Sequence, residues 1–411
     1  MELSSQLDSM LRTFTAYLMK NLNAMIVASH ISSTKGYPVF AEWEKQKGLV
    51  LIYPHRFCDF APTLDEVMDC YDKLIAEVLA VEDLILVLHP GDEAAKGRAK
   101  ALLARLGRNN YHLVEIPSND LWARDSLPIS IKRGKNTKTV TNITNAILGE
   151  GKWRSENLGH FGTLTEREKD YEDDEYLHEF ANFIFNGWGL KYPANLDNQL
   201  SRRLRERGFF SNMKDRGLVL EGGSVDSNGV GLVLTTTRCL LEANRNPCLS
   251  QSEIEEGLKE GLGAHEILWL SRGFLHGDES TDGHIDTLAR FIAPDAIAYV
   301  QCLDPKNLHY EELGAMEREL EEIAKAHGLR LVALPLCMFE DGAGGYLPAS
   351  YINFLFLNER RLIMPTYGKP TDSIALEIFS KALPDYEVRG LDCRALITQG
   401  GSLHCISMQF H

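Results

Sequence analysis

Eight cysteines occur in this 411-residue chain, but no Cys-X-X-Cys pair; the two that lie closest, Cys239 and Cys248, are nine residues apart. That spacing excludes the local redox and zinc-binding motifs, and the scattered histidines add no zinc spacing, so neither a metal nor a cofactor is expected. Scattered thiols predict a reduced, cytoplasmic protein. No apolar run is long enough to span a bilayer, and the first residues lack the basic, apolar and small-residue pattern of a secretory signal, so no membrane partner is expected. A basic surplus is missing too. Acidic residues outnumber basic ones 58 to 43, for a formal charge of −15, which argues against a nucleic-acid partner. The phosphate-loop pattern GxxxxGK[ST] is absent. What remains is an ordinary globular mixture, 44% hydrophobic and 25% charged, enough for a large core in one or two domains. Its negative field favours a small cation, although solubility alone accounts for most of that charge.

Residues 1–37 read as an N-terminal helical extension, with Leu7, Met10, Leu11, Phe14, Leu18 and Leu22 at helical spacing. From residue 38 onward strand-like and helix-like runs alternate. LVLIY (49–53), LILVL (84–88), EILWL (266–270) and LVAL (331–334) read as strands. YINFLFL (351–357) and RLIM (361–364) read as a strand pair. TLDE (63–66) and Ser250 with Glu253 read as capping boxes opening helices. Further helices are expected over 311–327 and over 372–383, the latter with Ile374, Ile378 and Phe379 inward. Such alternation predicts an α/β fold, without separating a doubly wound sheet from a cyclic array. Residues 143–180, ending near the acidic run DYEDDE (170–175), break the rhythm and read as an exposed insertion in one domain spanning 38–411.

Four short motifs carry candidate chemistry. Cys405 lies in GSLHC (401–405), after glycines that include Gly401 and six residues from the end of the chain. Glycine permits close backbone approach to a ligand. Six residues cannot build the helix that activates the thiol of a papain-like protease, which argues against that class. The other seven cysteines read as small buried hydrophobes. His284 and Asp286 lie in GHID (283–286); in a strand they would share one face, with Ile285 toward a core. An imidazole beside a carboxylate suits proton transfer next to a gripped substrate. Trp122, Arg124 and Asp125 form WARD (122–125), where an indole beside a carboxylate suits a flat cation. Glu221 opens EGG (221–223). Each motif has a plain alternative: a surface pair, a local ion pair at a strand end, or turn glycines.

Taken in order, WARD, EGG, GHID and GSLHC resemble the guanidino-modifying, or pentein, superfamily. Within it the chain resembles the bacterial-type agmatine deiminases, grouped with Porphyromonas-type peptidylarginine deiminases. PVFAEWEKQKGLVLIYPH (38–55), FNGWGLKYPANLDNQ (185–199), the stretch 221–247, LPASYINFLFLN (347–358) and GGSLHCISMQ (400–409) extend the likeness over 38–411. The resemblance implies a fivefold pseudosymmetric α/β propeller with a central site, and homo-oligomers. It implies Cys405 as nucleophile, His284 as general acid/base, Asp125 and Asp286 as the carboxylates holding a guanidinium, and Glu221 as the acid beside the histidine. Trp122 and Gly401 would line the substrate pocket. The expected reaction is deimination of agmatine, with a peptidylarginine deiminase, an amidinotransferase or a non-catalytic cation-binding relic as alternatives. WARDSLP and HCISMQF depart from the commoner WxRDxGP and HCITQQ, and both the insertion and the extension are long.

Overall fold

The computed structural model of the chain describes residues 38–134 and 176–411. The expected helix in 1–37, most of the 143–180 insertion and the acidic run 170–175 lie outside the described residues. The last five residues of the expected insertion are not loop: they begin a nine-residue strand, Tyr176–Ile184.

Eighteen strands occur among the described residues: β1 (Gly48–Ile52), β2 (Asp83–Leu88), β3 (Tyr111–Glu115), β4 (Ile129–Gly134), β5 (Tyr176–Ile184), β6 (Met213–Val219), β7 (Val225–Ser227), β8 (Leu232–Thr236), β9 (Glu266–Leu270), β10 (Ala289–Ala293), β11 (Ala296–Gln301), β12 (Arg330–Pro335), β13 (Phe339–Glu340), β14 (Tyr346–Leu347), β15 (Leu355–Leu357), β16 (Arg361–Thr366), β17 (Glu387–Asp392) and β18 (Ser407–Phe410). Apart from the small hairpin β13–β14, they form five sheets of one plan. The first strand of each pairs antiparallel with the second, and the second pairs parallel with the third. This holds for β4–β5–β6, β7–β8–β9, β10–β11–β12 and β15–β16–β17. The fifth sheet, β18–β1–β2 with β3 added, follows the same plan and joins the last strand to the first. Fivefold repetition of an α/β unit is therefore visible in the strand pairing, and it settles the choice between the two expected architectures.

Parallel neighbours need a long crossover, and a helix fills it each time. These are α1 (Leu64–Val81), α2 (Glu93–Leu106), the short α3 (Leu200–Glu206), α4 (Gln251–Leu262), α5 (Tyr310–His327) and α6 (Thr371–Ala382). On α1 the expected stripe Val67, Tyr71, Leu74 and Val78 is fully buried. α4 opens with the expected capping box: Ser250 accepts from the Glu253 amide while Glu253 accepts from the Ser250 amide. TLDE forms no box. A 3-10 turn at Ala61–Thr63 leads straight into α1, and the Thr63 side chain makes no capping bond. On α6 Ala375 and Phe379 face the core one turn apart, which leaves Ile374 about half exposed, against expectation. YINFLFL is a strand only over Leu355–Leu357; the residues before it turn toward the centre. Among the described residues no helix is long and apolar enough to cross a membrane.

Candidate active site

Each of the five sheets places a polar side chain in the turn just before its first strand. Asp125 lies in the helical turn Ala123–Ser126 ahead of β4. Glu221 precedes the 3-10 turn Gly222–Ser224 and β7. His284 precedes, and Asp286 lies within, the 3-10 turn Ile285–Thr287 ahead of β10. Asn353 comes two residues before β15, and Cys405 two before β18. GHID is thus a turn leading into β10 and not itself a strand. The outcome for its side chains is the one expected, because Ile285 is enclosed in the core while His284 and Asp286 point to the site.

All of these groups are buried. His284 Nδ1 lies 3.8 Å from Asp125 Oδ1, and its Nε2 lies 3.9 Å from Glu221 Oε2. Neither ring nitrogen has a hydrogen-bond partner among the described residues. Asp125 accepts from the Trp188 indole and from the Gly223 amide, both at 3.0 Å. The Cys405 sulfur receives the Asn353 amide N–H at 3.1 Å and donates toward Asp286 Oδ2 at 3.5 Å. Asp286 Oδ1 is buried without a partner among the described residues. Glu221 is held through both oxygens by Arg245 Nε at 3.0 Å. Gly223 marks the point of convergence. A Cβ there would sit 2.7 Å from His284 Nδ1 and 3.0 Å from both Asp125 Oδ1 and Asp286 Oδ2. Gly401 is equally constrained, since a Cβ would lie 2.3 Å from the Trp122 ring.

The electrostatics follow from burial among like charges. Burial raises the Asp125 carboxyl, helped by Asp286 and Glu221 and opposed by His284, to about 6. Burial also lifts the Cys405 thiol well above its usual range, with the Asp286 and Asp125 charges adding to it. Burial works against a charged His284, but the Asp125 carboxylate, the Cys239 sulfur and Asp286 outweigh it and hold the imidazole well above its usual range. For Asp286 burial is outweighed by the His404 hydrogen bond and the neighbouring cationic groups, so it stays below the usual carboxylate range. The site therefore pairs a thiol with an imidazolium.

Cys405, Asp125, Trp122 and Gly401 line one pocket together with Trp188, Tyr192, Asp120 and Asp59, within an envelope of about 460 Å³ that includes its open mouth. Trp188 sits there with φ of 56°, a left-handed conformation rare for a bulky residue and found where the surroundings enforce it. Trp188, Asn353, Arg245 and His404 have no role in the motif reading. Their segments carried the resemblance, but their contacts run across 24 to 118 positions of sequence. Two cysteines also depart from the buried-hydrophobe expectation. Cys248 is exposed, and Cys239 offers its sulfur within 4.8 Å of ligand atoms of Glu221 and His284. That trio has the chemistry of a zinc donor set, yet the Arg245 guanidinium already meets the Glu221 charge, which disfavours a dication.

Known proteins are similar to the chain over nearly their whole length. The chain is 31% identical to a cysteine-to-serine variant of C. jejuni agmatine deiminase solved with substrate bound, at a TM-score of 0.73 over 91% of this chain and 96% of that one. It is 29% identical to the agmatine deiminase of Pseudomonas aeruginosa (strain LESB58), over 91% of this chain and 95% of that protein. Residues 38–410 match the Porphyromonas-type peptidyl-arginine deiminase family, and the chain belongs to that family.

Proposed function

We propose that this chain is an agmatine deiminase, converting agmatine and water to N-carbamoylputrescine and ammonia. The observation that carries this reading is that Cys405, Asp125, Trp122 and Trp188 line one pocket, with His284 Nδ1 3.8 Å from Asp125 Oδ1 and Asp286 Oδ2 3.5 Å from the Cys405 sulfur. A flat cation with N–H groups on each edge suits two such carboxylates. Asp125 and the free Oδ1 of Asp286 take opposite edges of the guanidinium, and Trp122 stacks on its face.

Binding starts the chemistry. The free thiol is protonated, and a guanidinium arriving beside it favours the thiolate, whose proton leaves to solvent. The thiolate sulfur attacks the guanidinium carbon and a C–S bond forms. Imidazolium His284 donates its proton to one nitrogen of the tetrahedral adduct, the C–N bond breaks, and ammonia leaves. The product is a cationic S-alkylthiouronium on Cys405. Neutral His284 then takes a proton from water, the oxygen adds to the same carbon, and the C–S bond breaks to release the ureido product as the hydroxyl proton passes to the departing sulfur and restores the thiol. Glu221, fixed by Arg245, holds charge opposite the imidazolium through both steps. Acid–base help of this kind contributes roughly 10²–10⁴-fold.

The pocket favours agmatine over arginine. Asp59 and Asp120 line it, and burial with the charges of Asp59 and Asp197 raises Asp120 to about 7. A distal ammonium lowers that cost, whereas the α-carboxylate of arginine adds to it. We further take residues 38–411 as one catalytic unit, acting in the cytoplasm as a homo-oligomer on a small cation. Agmatine, arginine and a blocked arginine peptide offered in parallel test the assignment through ureido product and ammonia. Agmatine should be turned over best. Preference for the blocked peptide would make the chain a peptidylarginine deiminase, and transfer of the amidino group to an added amine would make it an amidinotransferase.

A further inference from the structure

His404, next to the nucleophile in sequence, points away from it. Its Nδ1 lies 2.7 Å from Asp286 Oδ2, and its Nε2 lies 2.6 Å from Glu42 Oε1. A neutral imidazole has one N–H, so it can satisfy only one carboxylate; the other contact would set a lone pair against a lone pair. Two contacts this short need both nitrogens protonated. The carboxylates are in the right state to receive them. Burial opposes a charged Glu42, but Arg290, His404 and Arg124 together hold it well below the usual carboxylate range. Glu42 is itself fixed: Oε1 lies 3.1 Å from Arg124 Nη1, Oε2 receives Gln409 Nε2 at 3.0 Å, and Arg290 Nη2 also closes on Oε2.

We infer that Glu42 and His404 form a relay that positions Asp286 and keeps it ionised for the substrate. The relay ties Asp286 Oδ2 and turns Oδ1, which is buried and has no other partner among the described residues, toward the guanidinium. It also sets a positive charge behind the oxygen that lies 3.5 Å from the Cys405 sulfur, so less repulsion opposes the thiolate. Glu42 precedes β1 and His404 precedes β18, neighbours in one sheet; the nucleophile's own sheet thus controls a carboxylate carried by another.

The charged groups around the relay set its pH behaviour. Facing His404 are Glu42, Asp286, Arg124 and Arg290. Facing Asp286, besides His404, are His284, Arg290, Asp125 and the Cys405 thiol, with Asp278 beyond. Burial and the two guanidinium groups outweigh Glu42 and Asp286 and hold His404 below the usual imidazole range, so its second proton rests on the two short contacts and stays only while both carboxylates are charged. In Glu42→Gln, His404 becomes neutral. Its Nδ1–H still reaches Asp286, but the positive charge is gone.

This inference rests on the deiminase reading, and the experiment separates the two. The kcat and KM for agmatine are measured against pH for wild type, Glu42→Gln and His404→Asn, with thermal unfolding as the check on folding. Asparagine keeps an N–H toward Asp286 but carries no charge. Both variants should raise KM about tenfold and change kcat far less, because the loss falls on binding. Both should also raise the pH midpoint of Cys405 alkylation with iodoacetamide, as a thiol does when a positive charge beyond its neighbouring carboxylate is lost. A folded variant with unaltered KM and alkylation midpoint overturns the relay. Should either variant fail to fold, the other carries the test. A wild type that yields no ureido product counts against the deiminase reading alone. The relay is then judged by the pH midpoint of Cys405 alkylation with iodoacetamide: a midpoint that rises in the variants supports it, and one that stays or falls overturns it.

Discussion

Leu74 on α1 and Glu221 in the site are both fully enclosed, and the surroundings that enclose them differ in kind. Leu74 packs within a stripe of Val67, Tyr71 and Val78 against the sheet of β1 and β2. Burial there is favourable by itself, at roughly 1.5–3 kcal/mol for such a side chain. Glu221 is tolerated only because Arg245 meets both of its oxygens, since an ionised carboxylate without a partner is too costly to bury. The crossover helices follow the first rule and the turns before the leading strands follow the second. The comparison teaches that this molecule places its charge where five sheets meet and lets the apolar layers around that centre hold it in place.

Substitutions in the two regions should therefore separate activity from stability. Cys405→Ser should give the largest effect, lowering deimination by at least about 10⁴-fold with little change in melting temperature. Arg245→Met leaves Glu221 buried and unpaired and should cost about 3–5 kcal/mol of folding stability in denaturant titration, with activity lost alongside; a loss below 1 kcal/mol would break the contrast between centre and rim. Leu74→Ala should cost about 2–5 kcal/mol from its cavity while KM for agmatine stays at the wild-type value. Glu82 supplies a control on the second rule. It is buried near the end of α1 and no ion pair reaches it among the described residues, and burial raises its carboxyl to about 8 from an ordinary 4.5. The folded state then holds this proton more tightly than the unfolded state. The stability from Glu82 is present below pH 4.5 and lost as pH rises through 8. Glu82→Gln should flatten that decline, gaining on the order of 2 kcal/mol at pH 6. The smallest effect should come from Ser250→Ala, about 1 kcal/mol from the broken capping box.

How far each region could be read from sequence follows the same division. The stripe on α1 and the capping box of α4 depend on residues three or four apart, so local spacing reveals them. The failed box at Thr63 and the outward Ile374 mark where a neighbouring turn, or a choice between adjacent apolar residues, decided the outcome. At the centre, residue types were legible and placement was not. Cys405, His284, Asp286, Asp125 and Glu221 stood out through motif order, and the structure brings them together. Trp188 and Asn353 did not stand out, because an indole on Asp125 and an amide on Cys405 are contacts across 63 and 52 positions of sequence. The repeated plan offered the missing signal: a polar residue precedes the first strand of every sheet, and LPASYINFLFLN held that place for β15. His404 adjoins Cys405 in sequence, but its partners, Asp286 and Glu42, lie 118 and 362 positions away.

The account turns on one covalent step, and peptide mapping of the enzyme quenched in acid during agmatine turnover tests it most directly. The peptide containing Cys405 should gain the mass of one agmatine less one ammonia, and Cys405→Ser should show neither the added mass nor turnover. Steady turnover with an unmodified Cys405, or an active Cys405→Ser enzyme, would contradict the assignment.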